Sequence, residues 1–456
     1  MSAGPPLRSV LIANRGEIAL RIARACREAG IRAIAVYSTE DQDSAAVRFA
    51  DEAVHIGPAP AQHSYLNMAA IIEAARRTGA EAVHPGYGFL SESSDFAEAC
   101  AASGLLFIGP PPAVIETLND KTSARRLMAS AGLPVLPGSL GPVNHAEDAR
   151  AVAGETGYPL IIKAAAGGGG RGIRVVREPA DLGAAYREVR ASAQTLFGDS
   201  RVYLERYLES PRHVEVQVLC DGHGAVVHLG ERDCTVQRRH QKLVEESPAP
   251  GVAAAIRDRM AEAAVRGALA AGYVGAGTFE FLVDTDGGWY FIEANPRIQV
   301  EHPVTEMVTG IDLVAQQFQI AAGRPLRMRQ DDVCCRGVAI ECRINAEDPD
   351  RGFAPAPGTL TEFSPPAGPF VRVDTHGHPG YRIARSYDSL LAKVVVWAPD
   401  RSQAMARMLR ALSEFTVAGP GVATTGPLLA KVIGHPLFRD AKHDTGLVDD
   451  ILLTRA

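Results

Sequence analysis

Two stretches of this 456-residue chain carry residue types and spacings that could do chemistry. The first is "TFEFLVDTDGGWYFIEANPR", residues 278–297. Two runs rich in aromatic and β-branched residues flank an Asp-Gly pair, the strongest short hairpin signal. A two-residue turn at Asp286-Gly287 places Glu280 opposite Glu293, Phe281 opposite Ile292 and Leu282 opposite Phe291. Alternation then puts Glu280, Leu282, Phe291 and Glu293 on one face and Phe279, Phe281 and Ile292 on the other. Two carboxylates about 5 Å apart repel by roughly 3 kcal/mol at an effective dielectric of about 20. A divalent cation such as Mg²⁺ (or Mn²⁺) relieves that repulsion and takes one or two carboxylates together with phosphates. Asn295, two residues beyond Glu293, points the same way and could add a ligand.

The second stretch is "KAAAGGGGRGIRVV", from Lys163 to Val176. It contains a formal G-x-G-x-x-G, but a dinucleotide site needs those glycines to open a helix. Here "IRVV" is β-branched and reads as a strand. A P-loop is excluded because Gly172 is followed by Ile173 rather than Lys-Ser or Lys-Thr. What remains is a hairpin with a glycine-rich tip and Lys163 on the strand before it. Glycines at positive φ let successive N–H groups converge on an anion, so a phosphate-covering lid is expected. A mobile linker is the plainer alternative. No kinase catalytic loop follows.

The surrounding elements must position these groups. The first hundred or so residues alternate strands ("SVLIA", "RAIAVYS", "AEAVH") with helices ("EIALRIARACREAG", "YLNMAAIIEAARRTG"). That rhythm implies a doubly wound parallel sheet. Its first turn, "ANRGE", has one glycine where a dinucleotide fingerprint needs three, so a Rossmann-like sheet without that cofactor is expected. A Pro-bounded helical segment follows, then the glycine hairpin and a long helix. Strands dominate from about Pro211. "VTEMVTGIDLVAQQFQIAAG" reads as helix, and Gln299 and Glu301 read as alternating on a strand.

Bulk composition narrows the function classes. Net charge is −6, without a basic run, so nucleic acid is not an expected partner. No apolar stretch is long enough to cross a bilayer, and the seven cysteines contain no C-x-x-C. A cytoplasmic chain with reduced thiols, no membrane and no zinc site is expected.

Longer strings narrow the reading further. "IANRGEIALRI", "HPGYGFLSE", "PRHVEVQVL", "ERDCTVQRRHQK", "RIQVEHPVTE" and "ECRINAED" follow one another through nearly the whole chain and resemble the biotin carboxylases, members of the ATP-grasp ligases. The resemblance implies a multidomain α/β and α+β protein. Residues 1–115 form the Rossmann-like domain, 116–137 a helical linker, 138–207 the glycine-rich lid, and 208–456 the ATP-grasp core with a mixed β C-terminal domain. It implies carboxylation of biotin, carried on a separate biotin carboxyl carrier protein, by bicarbonate and ATP through carboxyphosphate. A carboxyltransferase subunit would complete an acyl-CoA carboxylase, and a homodimer is expected. No Met-Lys-Met biotinylation string is present, so carrier and transferase are expected on other chains unless the chain is a fragment.

By the same resemblance, Lys121, Lys163 and the glycines Gly168, Gly169 and Gly170 hold the ATP phosphates. Glu205, Leu208, His213, Gln237 and Leu282 surround adenine and ribose, and His240 reaches the terminal phosphate. Glu280, Glu293 and Asn295 hold the metal. Lys242, Arg297, Gln299 and the Val300 backbone bind bicarbonate, Glu301 is the general base, Arg343 stabilises the biotin enolate, and Tyr87 lies along the biotin ring. Pro296, where many stand-alone members carry threonine, is closer to the variants in some pyruvate and acyl-CoA carboxylases. Two rivals remain. One is another ATP-grasp ligase that hands carboxyphosphate to ammonia; the other is an inactive nucleotide-binding scaffold.

Overall fold

The computed structural model describes residues 7–167 and 170–453. Five parallel strands open the chain, in the order Glu52–Gly57, Arg32–Ser38, Ser9–Ile12, Ala82–His84, Leu106–Phe107. The central strand is buried at every position and apolar from Val10 to Ile12, because both its faces are covered. Val10 and Ile12 enter one core, Leu11 and Ala13 the other. This is the doubly wound sheet expected from sequence. The helix Gly16–Glu28 follows directly, and Gly16 takes φ 68 at its first turn, a conformation that disfavours a side chain.

Two short helices, Pro112–Asn119 and Lys121–Ser130, come next. Asp120 ends the first and caps the second by accepting from the Ser123 N–H. The cap fixes Lys121 at a helix start. The glycine hairpin then pairs Leu160–Ala164 antiparallel with Ile173–Val176. Val202–Arg206 adds the third strand, and the helices Ala146–Thr156 and Leu182–Phe197 share its core.

The third sheet positions the chemistry. Eight antiparallel strands run in the order Trp289–Asn295, Gly275–Val283, Arg212–Cys220, Val226–Arg238, Gln241–Ser247, Val338–Asn345, Leu390–Ala398, Val371–Thr375. Strict alternation gives each strand an apolar and a polar side. Val214, Val216 and Val218 pack with Phe279 and Phe281 in one core, which sends His213, Glu215 and Gln217 to the opposite face. Further along, Ile340, Cys342, Val394 and Val396 pack under the C-terminal helices. Glu341, Arg343 and Lys393 therefore point the other way.

Three local expectations are corrected. The hairpin turn is Asp284–Gly288: the Gly287 N–H bonds the Asp284 carbonyl and the Asp284 N–H bonds the Gly288 carbonyl. Gly287, at φ 84, supplies the left-handed residue of a three-residue loop. A register shift between Glu280 and Phe281 offsets the longer turn, so Glu280 still faces Glu293 while Phe281 faces Phe291 and Leu282 faces Tyr290. Phe291 consequently joins the core with Phe279 and Phe281, and Ile292 lines the cleft instead. Second, the helical run after Val304 is two helices, His302–Thr309 and Leu313–Ala321. Gly310 at φ 72 ends the first and Asp312 caps the second. Third, Gln299 and Glu301 lie in the turn leading into the first of these helices rather than on a strand.

Candidate active site

A cleft of about 1280 Å³ runs along the polar face of the large sheet and under the glycine hairpin. Every described residue picked from the sequence lines it; Gly168 and Gly169 lie outside the described residues. Gly170, at φ 69, sits against the His240 ring, itself at φ 64.

At one end, Lys121 makes an ion pair with Glu293, and Lys163 lies 2.5 Å from Glu205 Oε1. Arg125 holds the other Glu205 oxygen at 2.8 Å. His213 Nε2 meets Glu280 Oε2 at 2.7 Å, and Gln237 approaches His213 Nδ1 at 3.5 Å. Leu208 and Leu282 supply apolar wall. Glu293 is directly opposite Glu280, and Glu280 is opposite Glu215 on the next strand. Three carboxylates thus stand in a row across three strands, an arrangement that needs cations.

The cations are present. Lys242 donates to Glu215 at 2.5 Å, Glu280 at 2.9 Å and Glu301 at 2.7 Å. Asn295 and Gln299 donate to the same Glu280 oxygen at 2.8 and 3.2 Å. Burial raises the Glu280 pKa, but the Lys242 ammonium and His213 outweigh it and hold the group well below the ordinary carboxylate range. The Lys121 ammonium lowers the Glu293 pKa against burial.

The other end is more enclosed. Glu301 is fully buried and accepts from Lys242 on one oxygen and from Arg343 Nη2 at 2.9 Å on the other. Burial pushes its pKa up, yet Lys242, Arg343 and Arg232 together hold it far below the usual value. Arg343 also donates through Nε to Glu245 at 2.6 Å. Burial raises Glu245 to about 7, with Arg343 pulling against it. Arg297 donates to Glu92 at 2.9 Å, Gln299 at 3.1 Å and Asn295 at 3.2 Å. The Tyr87 hydroxyl bonds the carboxylate of Glu17.

Sequence reasoning missed Glu215, Arg232, Glu245, Glu17, Glu92 and Lys393. Arg232 is fully buried and donates to Glu215, Gln217, Thr305 and Thr278. Glu215 and Gln217 were legible as the polar side of "HVEVQV". The other partners belong to separate elements, and no local pattern connects them.

The arrangement can bind an anion and a polyphosphate side by side. Carboxylates for a cation sit at one end, and a carboxylate flanked by an ammonium and a guanidinium sits at the other. Known proteins share the sequence pattern and the fold that carry it. Residues 6–115 match the family model "Biotin carboxylase, N-terminal domain", 120–329 "Carbamoyl-phosphate synthase L chain, ATP binding domain", and 341–450 "Biotin carboxylase C-terminal domain". The biotin carboxylase of Nostoc sp. is 50% identical over 442 residues, 97% of this chain and 98% of that protein. That of Pseudomonas aeruginosa is 54% identical over 414 residues, covering 91% and 92%. The biotin carboxylase–βγ-ATP complex from Campylobacter jejuni superposes with a TM-score of 0.95 at 48% identity, covering 97% of this chain and 99% of that one. The biotin carboxylase domain dimer of Hydrogenobacter thermophilus 2-oxoglutarate carboxylase, with MgADP, ADP and bicarbonate, gives 0.94 at 47%, covering 98% of each.

Proposed function

We propose how this cleft works from one premise: the chain belongs to the biotin carboxylase family. It is an ATP-dependent ligase that activates bicarbonate as carboxyphosphate and passes the carboxyl group to biotin on a carrier protein. The observation that carries the reading is Glu301, enclosed between Lys242 and Arg343 in a cleft continuous with Glu280 and Glu293.

Lys121 and Lys163 serve as point charges for the phosphates, each now paired with a carboxylate that a polyanion can replace. Gly168 to Gly170 close over those phosphates, with His240 at the terminal one. Glu205, Leu208, His213, Gln237 and Leu282 receive adenine and ribose. Lys242, Arg297, Gln299 and the Val300 N–H bind bicarbonate. Glu301 takes the bicarbonate proton as bicarbonate attacks the terminal phosphoryl group and ADP leaves; the biotin N1′ proton then goes to the phosphate released from carboxyphosphate, or to Glu301 once it has passed on its own. The ion pairs explain how a carboxylate of depressed pKa becomes a base. When Lys242 turns to bicarbonate and Arg343 to the ureido oxygen of biotin, burial remains the dominant influence on Glu301 and its proton affinity rises. Arg343 then stabilises the developing enolate, and Tyr87 bounds the biotin ring.

The residues also fit a divalent cation. Glu280 and Glu293 are hard oxygen donors held ionised at directly opposed positions, and Asn295 adjoins them. The Lys121 ammonium on Glu293 occupies the place of one positive charge. When bound, Mg²⁺ or Mn²⁺ supplies neutralisation of phosphate oxygens. The carrier protein, a carboxyltransferase subunit and a homodimer complete the proposal. The dimeric Hydrogenobacter domain and the Rhizobium etli pyruvate carboxylase, of which this chain matches 40%, support assembly into larger carboxylases.

Phosphate release with ATP, magnesium and bicarbonate, measured with and without free biotin, tests the reading. Stimulation by biotin is expected, and its absence would remove biotin as the acceptor.

A further inference from the structure

One buried cation has no part in the scheme above. Lys393, on strand Leu390–Ala398, is fully buried. In the sheet it stands between Arg343 on one neighbouring strand and Asp374 on the other. Its Nζ donates to the Val300 carbonyl at 2.8 Å, lies 3.1 Å from Glu17 Oε1 and 3.9 Å from Asp374 Oδ2. Glu17 in turn accepts the Tyr87 hydroxyl, and the Lys393 ammonium stands 5.9 Å from the centre of the Tyr87 ring. Segments near residues 17, 300 and 374 therefore meet at the Lys393 nitrogen, and residue 87 joins them through Glu17.

A buried ammonium is costly, and apolar side chains fill the same strand on its other face at Val394 and Val396. What Lys393 provides at this spot is one nitrogen that holds the Val300 carbonyl and faces the Glu17 carboxylate at once. With that carbonyl fixed, the plane of the peptide leading to Glu301 is set from behind, while Lys242 and Arg343 set the carboxylate from in front. Through Glu17 the same nitrogen is tied to the ring proposed to face biotin.

We propose, building on the biotin carboxylase reading, that Lys393 is a positioning residue for carboxyl transfer: it fixes the spacing between the base Glu301 and the biotin-facing Tyr87. Misplacing reacting groups by about 1 Å can cost on the order of 100-fold in rate.

The test compares the wild-type chain with Lys393→Met, the charge-balanced pair Lys393→Met with Glu17→Gln, and Tyr87→Phe. The pair removes Lys393 and Glu17 together, while Glu341 and Asp374, which Lys393 also faces, keep their carboxylates, and thermal melting checks that it folds. Expected for that pair is a fall in kcat for biotin carboxylation on the order of 100-fold, with KM for ATP within about twofold of wild type. Tyr87→Phe keeps the ring and loses only the Glu17 link; it is expected to raise KM for biotin severalfold while KM for ATP and bicarbonate stay put. Wild-type kcat in the charge-balanced pair, or an unchanged biotin KM in Tyr87→Phe, would overturn the positioning role and leave Lys393 as charge balance alone. Failure of the wild-type chain to respond to biotin is a separate result, and it would fall on the functional reading instead.

Discussion

The two ends of the cleft solve the same electrostatic problem differently. Both gather carboxylates over one sheet face, Glu280 and Glu293 on strands and Glu301 from the turn beside it, and both neutralise them with lysine or arginine. At the phosphate end the Lys121–Glu293 pair is partly open, with side chains 19% and 33% exposed. At the base end Glu301 is 1% exposed and its oxygens are fully engaged by Lys242 and Arg343. Exposed pairs contribute little and exchange readily, whereas removing one partner of a buried pair is strongly destabilising. The open end is therefore suited to trading its ammonium for a metal and phosphates. The closed end keeps its geometry before any substrate arrives, which is what an electrostatically preorganised site requires.

Glu301→Gln is the sharpest way to break this contrast. It keeps the shape and removes the base, so biotin carboxylation should fall by about 10²–10⁴-fold. ATP binding at the open end should survive. Labelled-bicarbonate fixation into free biotin, alongside nucleotide binding, measures both; retained fixation would remove Glu301 as the base. Glu293→Gln should act at the other end alone, raising the magnesium requirement of ATP cleavage by about tenfold or more. A magnesium titration of phosphate release reads it, and an unchanged midpoint would argue against the paired-carboxylate metal site.

The closed end also predicts a pH signature. Glu245 carries a folded-state pKa of about 7, above its ordinary value of 4.5, because burial outweighs Arg343. Between those values the folded protein keeps a proton that the unfolded chain has lost, so this group's contribution to stability falls as pH rises through the window and levels off above it. The stability of wild type relative to Glu245→Gln should thus decline as pH rises from 4.5 to 7. Melting curves of both proteins across that range check the sign. The smallest effect is expected in the hairpin. Gly170→Ala places a Cβ within 2.4 Å of the His240 ring at a φ of 69. Left-handed strain of about 1 kcal/mol should weaken ATP binding by about fivefold, measurable as KM.

How much was legible in advance can be traced residue by residue. The alternation in "HVEVQV" and the hairpin at Glu280 and Glu293 follow from a period of two, and a local pattern reports local geometry. The hairpin shows the limit of that rule. A longer turn and a register shift cancelled, so Glu280 does stand opposite Glu293 while Phe291 was assigned to the wrong face. Gly310 was passed over because the helical pattern continues on both sides of it.

The sequence by itself determined the alternating sheets, the glycine hairpin, the opposed carboxylates and the family, because each resides in contiguous strings. Only the tertiary structure decided which cation stands against which carboxylate. Lys242 serves three glutamates from three other segments, and Lys393 gathers Glu17, Val300 and Asp374. Those partners lie tens to hundreds of positions apart. Burial in one packed face, where an unmatched charge is too costly to keep, fixes such pairings, and no spacing in the chain encodes them.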